Sequence, residues 1–290
     1  MVTPRPGGSD RLRQGEGGPP LRAAYAACAQ LVRAHYENFP VASLLMPRRM
    51  RDHVAAIYAF ARVADDFADE GQLPPDTRLQ LLDTWHARLR AAVADGAAEP
   101  PLLPWEPIDA PEMFRALGNT IRVCALPVDL FEDLLSAFRQ DVTVHRYDTW
   151  AALLDYCRRS ANPIGRLVLR VAGYRDARLD RWSDAICTAL QLTNFWQDLA
   201  VDARRGRSYI PDEAAGSSPE DTMRAVLRRT RLLFDEGRPL GNAITGRLRY
   251  ELRATWLGGV RILDRLEAGA DRPRLGLGDV PPIALKMVTW

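Results

Sequence analysis

Three aspartates crowd one short stretch of the chain: Asp65, Asp66 and Asp69 in YAFARVADDFADEG. Asp65 and Asp69 are four residues apart, so on a helix they share a face. A second set lies far downstream in QLTNFWQDLAVDARRGRSYIP, where Asn194, Asp198 and Asp202 follow at the same four-residue step. Aspartate is a poor helix former, and like charges at this spacing repel. The simplest explanation is a solvated helix face. Two features argue for chemistry instead. The neighbours are apolar: Ala64, Phe67 and Ala68 in one set, Phe195, Trp196, Leu199 and Val201 in the other. Arginines also stand close by, with Arg62 before Asp65 and Arg204, Arg205 and Arg207 after Asp202. Hard divalent cations such as Mg²⁺ take oxygen ligands and share them with substrate phosphates. Two facing carboxylate helices would hold several Mg²⁺ ions against one diphosphate, with arginines on its far oxygens. Such a cluster draws charge onto a departing diphosphate as its C–O bond breaks. What remains is a carbocation, which needs a dry, apolar cavity.

These residues must be positioned by helices. The chain has 290 residues, 47% of them hydrophobic and 26% charged, within the range of a globular protein with a sizeable core. Its formal net charge of +2 gives no nucleic-acid footprint. Lys286 is the only lysine; arginine carries the rest of the positive charge. Residues 1–20 are rich in Gly, Pro and charge and read as a flexible leader. From Leu21 onward the apolar periodicity is helical over 21–36, 48–70, 76–94, 109–124, 127–140, 149–160, 163–173, 178–203, 219–234, 242–268 and 281–290. Start signals fall at Asp76, Asp109, Thr149 and Ser218-Pro219-Glu220-Asp221. No run shows β-branched alternation. The expectation is one all-α domain over 21–290, with 95–111 as a Pro-rich surface connection.

The order DxxxD, then NxxxDxxxD, then RGRSYIP resembles the squalene and phytoene synthase family, over about residues 25–268. The resemblance implies an isoprenoid-synthase helical bundle with a central cavity, acting on prenyl diphosphates with Mg²⁺. It implies metal ligation by Asp65, Asp66, Asp69, Asn194, Asp198 and Asp202. A catalytic part falls to Asp65, Asp69, Asp198, Asp202 and Tyr58. Substrate contacts fall to His35, Asn38, Tyr58, Arg62, Gln191, Arg205 and Tyr209. The segments HYENFPVAS, SANPIG and NFWQD are similar to one branch, the hydroxysqualene-forming enzymes of the hopanoid pathway. That branch ionises presqualene diphosphate and quenches the cation with water. Polar groups of Tyr36, Glu37 and Asn38 could hold that water; the plainer reading is that Glu37 and Asn38 contact diphosphate or cap a helix. NADPH is not expected, since GGVRIL sits in a helical segment with no strand before it.

Two other readings stay open. One is head-to-head synthesis of presqualene diphosphate, (dehydro)squalene or phytoene from two prenyl diphosphates. The other is a non-catalytic helical binding module. The four scattered cysteines offer neither a disulfide framework nor a zinc site, so a cytoplasmic setting is expected. The C-terminal PPIALKMVTW leaves open a peripheral contact with the inner membrane or packing on the bundle. Association with a sibling synthase also stays open. A lone Asp83-x-x-His86 is too little for a di-iron site and reads as surface. Trp150, Trp182 and Trp256 read as packing residues or cavity lining.

Overall fold

A computed structural model describes residues 19–34, 45–69, 73–94 and 100–290. The secondary structure among the described residues is helical, with no strand. The helices are α1 (Pro19–Ala34), α2 (Arg48–Asp69), α3 (Pro75–Val93), α4 (Ala110–Cys124), α5 (Asp129–Thr143), α6 (Trp150–Ser160), α7 (Asn162–Val171), α8 (Ala177–Gln197), α9 (Leu199–Arg204), α10 (Pro219–Gly237), α11 (Leu240–Ala243), α12 (Gly246–Glu267) and α13 (Val280–Thr289). They fall into two compact units. One comprises the described residues up to Thr143 together with Arg166–Arg175; the other comprises Val144–Gly165 and Asp176–Trp290.

In the first unit α2 packs against α1, α3, α4 and α5. Its apolar stripe (Ala56, Phe60, Val63, Phe67) supplies the core, as the period of the sequence requires. Trp85 of α3 is fully buried and stands edge-on to Phe114 and Phe67, with ring centroids 4.5 and 5.4 Å away. Its indole N–H donates to the Phe60 carbonyl at 3.2 Å, so the ring's one polar atom is satisfied. Arg88 and Glu106 form a buried bidentate pair at 2.8 and 2.9 Å. A further polar knot joins Tyr25, His53, Thr120 and Asn119, and burial pushes the His53 imidazole pKa down.

In the second unit α8 packs against α6, α10 and α12, and α12 carries α11 and α13. Two of the expected starts are capped by their own side chains. Thr149 Oγ1 accepts from Ala152 N at 3.2 Å, and Ser218 Oγ from Asp221 N at 3.1 Å. Asp109 occupies its cap position without a side-chain bond, and Asp76 falls one residue inside α3, in the first turn.

Two expected segments are divided. The stretch 178–203 breaks at Asp198 (φ −103°, ψ 13°), which ends α8 and starts α9. The stretch 242–268 breaks at extended Thr245 and at Gly246, whose φ of +68° a residue with a side chain adopts poorly. Both breaks fall at residues with low helix propensity, where the apolar period continues undisturbed. Cys28, Cys124, Cys157 and Cys187 are free thiols, the first three buried. No helix of the described residues is long and apolar enough to cross a membrane.

Candidate active site

The first acidic set occupies the last two turns of α2. No basic residue lies in that last turn, although a helix C-terminus carries partial negative charge and favours cations there. Asp65, Asp66 and Asp69 therefore stand where the backbone field disfavours them. Arg62, one turn back, answers part of this. Its guanidinium lies 2.5 Å from Asp66 and 3.5 Å from Asp65. Tyr58 sits one turn further back on the same face. Burial pushes its hydroxyl pKa up, Arg62 works against that shift, and Asp66 and Asp65 reinforce it. Tyr58 is thus a protonated donor beside an arginine and two carboxylates. Arg78 of α3 donates to the Ala68 carbonyl at 2.5 Å and satisfies a free carbonyl at the end of α2.

The second set is built the same way at the end of α8. Asn194 lies in the last turn, again without a basic residue, and Asp198 is the C-cap. Asp198 N bonds the Asn194 carbonyl at 2.9 Å, while Val201 N and Asp202 N both bond the Asp198 carbonyl, at 2.8 and 2.9 Å. The step from Asn194 to Asp202 is thus bent at its middle residue instead of running down one straight helix. The Asp198 carboxylate accepts from Arg272 Nε at 2.6 Å. Arg272 was not among the residues singled out from the sequence. It sits 74 positions away in an irregular segment and adopts a left-handed backbone with φ of 42°, a conformation that costs about 1 kcal/mol or more outside glycine. The adjoining Gln197 amide donates to the Pro273 carbonyl at 2.5 Å and fastens the same segment.

The stretch after Asp202 turns on Gly206, whose φ of +73° ends α9; Arg207 N closes on the Asp202 carbonyl at 2.9 Å. Ser208 N then bonds the His145 carbonyl at 2.8 Å. This directs Tyr209 into an aromatic cluster, where it is buried and stacked on Phe195 with centroids 3.7 Å apart. Arg204 and Arg205 are exposed and Gln191 is half-buried. His35, Tyr36, Glu37 and Asn38 lie outside the described residues.

The side signals resolve simply. His86 pairs with Glu132 at 3.1 Å on the surface. Trp150 takes a cation–π contact from Arg229 at 4.4 Å, and the Trp256 indole donates to the Phe234 carbonyl at 2.7 Å. Just past α13 Trp290 packs edge-on to Trp256 at 5.0 Å, while Leu285 and Val288 of the helix are exposed.

Among the described residues no three His, Cys, Asp or Glu side chains group closely enough to hold a metal ion. The donor chemistry nevertheless suits Mg²⁺. Both sets are all-oxygen, both sit at helix ends that attract cations, and at each an arginine already holds a carboxylate.

Residues 32–278 match the squalene/phytoene synthase family model. The chain belongs to the squalene/phytoene synthase family. It is 38% identical over 224 residues to the hydroxysqualene synthase of Rhodopseudomonas palustris, covering 72% of this chain and 71% of that one. It is 41% identical over 193 residues to the hydroxysqualene synthase of Zymomonas mobilis, covering 64% and 59%. The crystal structure of squalene synthase HpnC from Alicyclobacillus acidocaldarius matches with a TM-score of 0.77 at 38% identity, over 88% of this chain and 97% of that one. The fold is therefore that of the isoprenoid synthases, and the chain is an isoprenoid-synthase enzyme.

Proposed function

We propose that the protein converts presqualene diphosphate and water into hydroxysqualene and diphosphate. The observation that carries the reading is the matched pair of acidic helix ends, Asp65/Asp66/Asp69 on α2 and Asn194/Asp198/Asp202 at the end of α8 and in α9. The choice of branch rests on the likeness to hydroxysqualene synthases.

Each acidic set would supply carboxylate oxygens for Mg²⁺. When bound, that ion neutralises diphosphate charge and makes it a better leaving group. The chain's own part is positioning. Arg62 and Arg272 orient the carboxylates by charge-assisted hydrogen bonds and put positive charge beside them for an anionic substrate. Arg205, exposed just past α9, adds a further cation for the diphosphate. Tyr58 presents a protonated hydroxyl beside Arg62 and donates to anionic oxygen. Ionisation breaks the C–O bond to diphosphate and the electron pair leaves with it. The cyclopropane opens as one ring C–C bond gives its electron pair to a new C=C bond, water forms the new C–O bond at the carbon left cationic, and the proton it sheds ends on diphosphate.

The test is incubation with presqualene diphosphate and Mg²⁺, followed by mass analysis of the lipid and assay of released diphosphate. The expected lipid is the alcohol, with diphosphate release stopped by a chelator. A product formed from farnesyl diphosphate alone would instead make this a head-to-head prenyl synthase. No diphosphate release from either substrate would favour a binding module.

A further inference from the structure

The helix α13 is apolar on both sides and yet lies at the surface. Of its residues only Lys286 and Thr289 are polar. Ile283 and Met287 are half-buried, and with Trp290 they stand at i, i+4 and i+7. This is the side turned to α12, where Trp290 meets Trp256 and Arg253 donates to the Met287 carbonyl at 2.9 Å. Pro281, Leu285 and Val288 repeat the same spacing on the opposite side and are exposed, Leu285 by 66% and Val288 by 69%. Leu277, in the turn before the helix, is 92% exposed. A helix that is apolar all round is normally enclosed by its own protein. The described residues leave the outer side of this one bare, and a contiguous apolar strip of that kind marks an interaction surface.

The charge beside the strip has one sign. From Arg272 to Trp290 the chain holds a single acid, Asp279. Its carboxylate is buried and accepts from Gly276 N, Arg261 and Arg265 at 2.8, 3.1 and 2.6 Å, so it is neutralised in place. On α12, Asp264 and Glu267 are both held by Arg231. Asp271, the next acid back along the chain, precedes Arg272, whose guanidinium is committed to Asp198. Arg274 and Lys286 are exposed, and Lys286 lies on the flank of the strip. The helix is about 15 Å long, half of the roughly 30 Å of a bilayer's hydrocarbon core, so it can lie along such a layer and not across it. The strip is also too small for a stable protein partner, which takes about 20–30 residues a side.

We propose that the outer side of α13 docks on an anionic lipid bilayer. Leu285 and Val288 enter the boundary of the acyl chains, while Lys286 and Arg274 meet the headgroups. This concerns where the protein sits and does not depend on the functional reading above. The segment that leads into the helix is fastened to α8, through Arg272 on Asp198 and through Gln197 on the Pro273 carbonyl. The docking surface and the second acidic set therefore belong to one unit. Docking brings that unit to the phase in which a long isoprenoid dissolves.

The experiment is flotation of the full chain with vesicles of phosphatidylcholine alone or with about one third phosphatidylglycerol. The parent is expected to bind the anionic vesicles at least about fivefold more strongly than the neutral ones, and to lose most of that difference in about 0.5 M salt. Replacing both Leu285→Ser and Val288→Ser is expected to weaken binding about tenfold or more, and Lys286→Glu about fivefold. These side chains are exposed, so the variants should melt with the parent; Leu285→Gln makes the same comparison should the double variant melt early. Folded variants that bind as the parent does overturn the proposal, as does a parent that binds neither vesicle or prefers the neutral one. A parent that is dimeric by light scattering and becomes monomeric in the double variant makes the strip a contact between copies, and overturns it too.

Discussion

The two acidic helix ends meet the same electrostatic difficulty with different solutions. At α2 the compensating charge is local: Arg62 lies three and four residues before the aspartates it holds, on the same helix. At α8 it arrives from a distance. Arg272 comes from beyond α12 and reaches Asp198 with its backbone in a left-handed conformation. The first pairing forms as soon as the helix does. The second requires the whole unit to fold and stores backbone strain at the contact. An exposed pair of this kind contributes little stability, since Arg272 and Asp198 are 44% and 38% exposed. Strain kept for so small a return points to a role beyond folding.

The comparison breaks first at the carboxylates themselves. Asp65→Ala and Asp198→Ala should each reduce diphosphate release about a hundredfold or more, the usual effect of removing a group that stabilises developing charge. Circular dichroism should show an unchanged fold. A large loss in only one of the two would mean that the two ends do different work.

A smaller effect separates the arginines. Arg62→Ala takes one guanidinium away from two half-buried carboxylates, so it should cost about 1 kcal/mol of stability as well as turnover. Arg272→Gly removes the charge but relieves the strain, so its melting point should stay within about 2–4 °C of the parent while turnover falls about tenfold. Turnover that survives this change would reduce Arg272 to a surface contact.

Sequence periodicity and caps located most of the helices because those signals are local. Thr149 and Ser218 cap the helices they precede through their own side chains. The breaks at Asp198 and Thr245 were not legible, because the apolar period runs through both and the interruption is made by backbone geometry. The same division applies to the candidate site. Tyr58, Arg62 and the α2 aspartates lie on one helical face and can be read from spacing. Arg272 cannot, because it acts across 74 residues of chain. The only hint of Arg272 was a basic, Pro-containing run, Arg272-Pro273-Arg274, just after a long helix.

The smallest expected effect concerns pH and sharpens the description of the second unit. The Glu251 pKa rises from 4.5 to about 8 on folding, so the folded state keeps a proton that the unfolded chain releases. This contribution to stability is complete below pH 4.5 and is lost as the pH climbs towards 8. Glu251→Gln should flatten that decline, and its melting point relative to the parent should improve by about 5 °C between acid and pH 8. Parallel pH profiles for the two proteins would show that Glu251 ionises without hindrance.

The most direct test of the whole account is calorimetric titration of Mg²⁺ in the presence of inorganic diphosphate, for the parent protein and for Asp65→Ala and Asp198→Ala. The account predicts saturable Mg²⁺ uptake by the parent that depends on diphosphate and is weakened at least about tenfold in each variant. Uptake of equal affinity in all three proteins would contradict it.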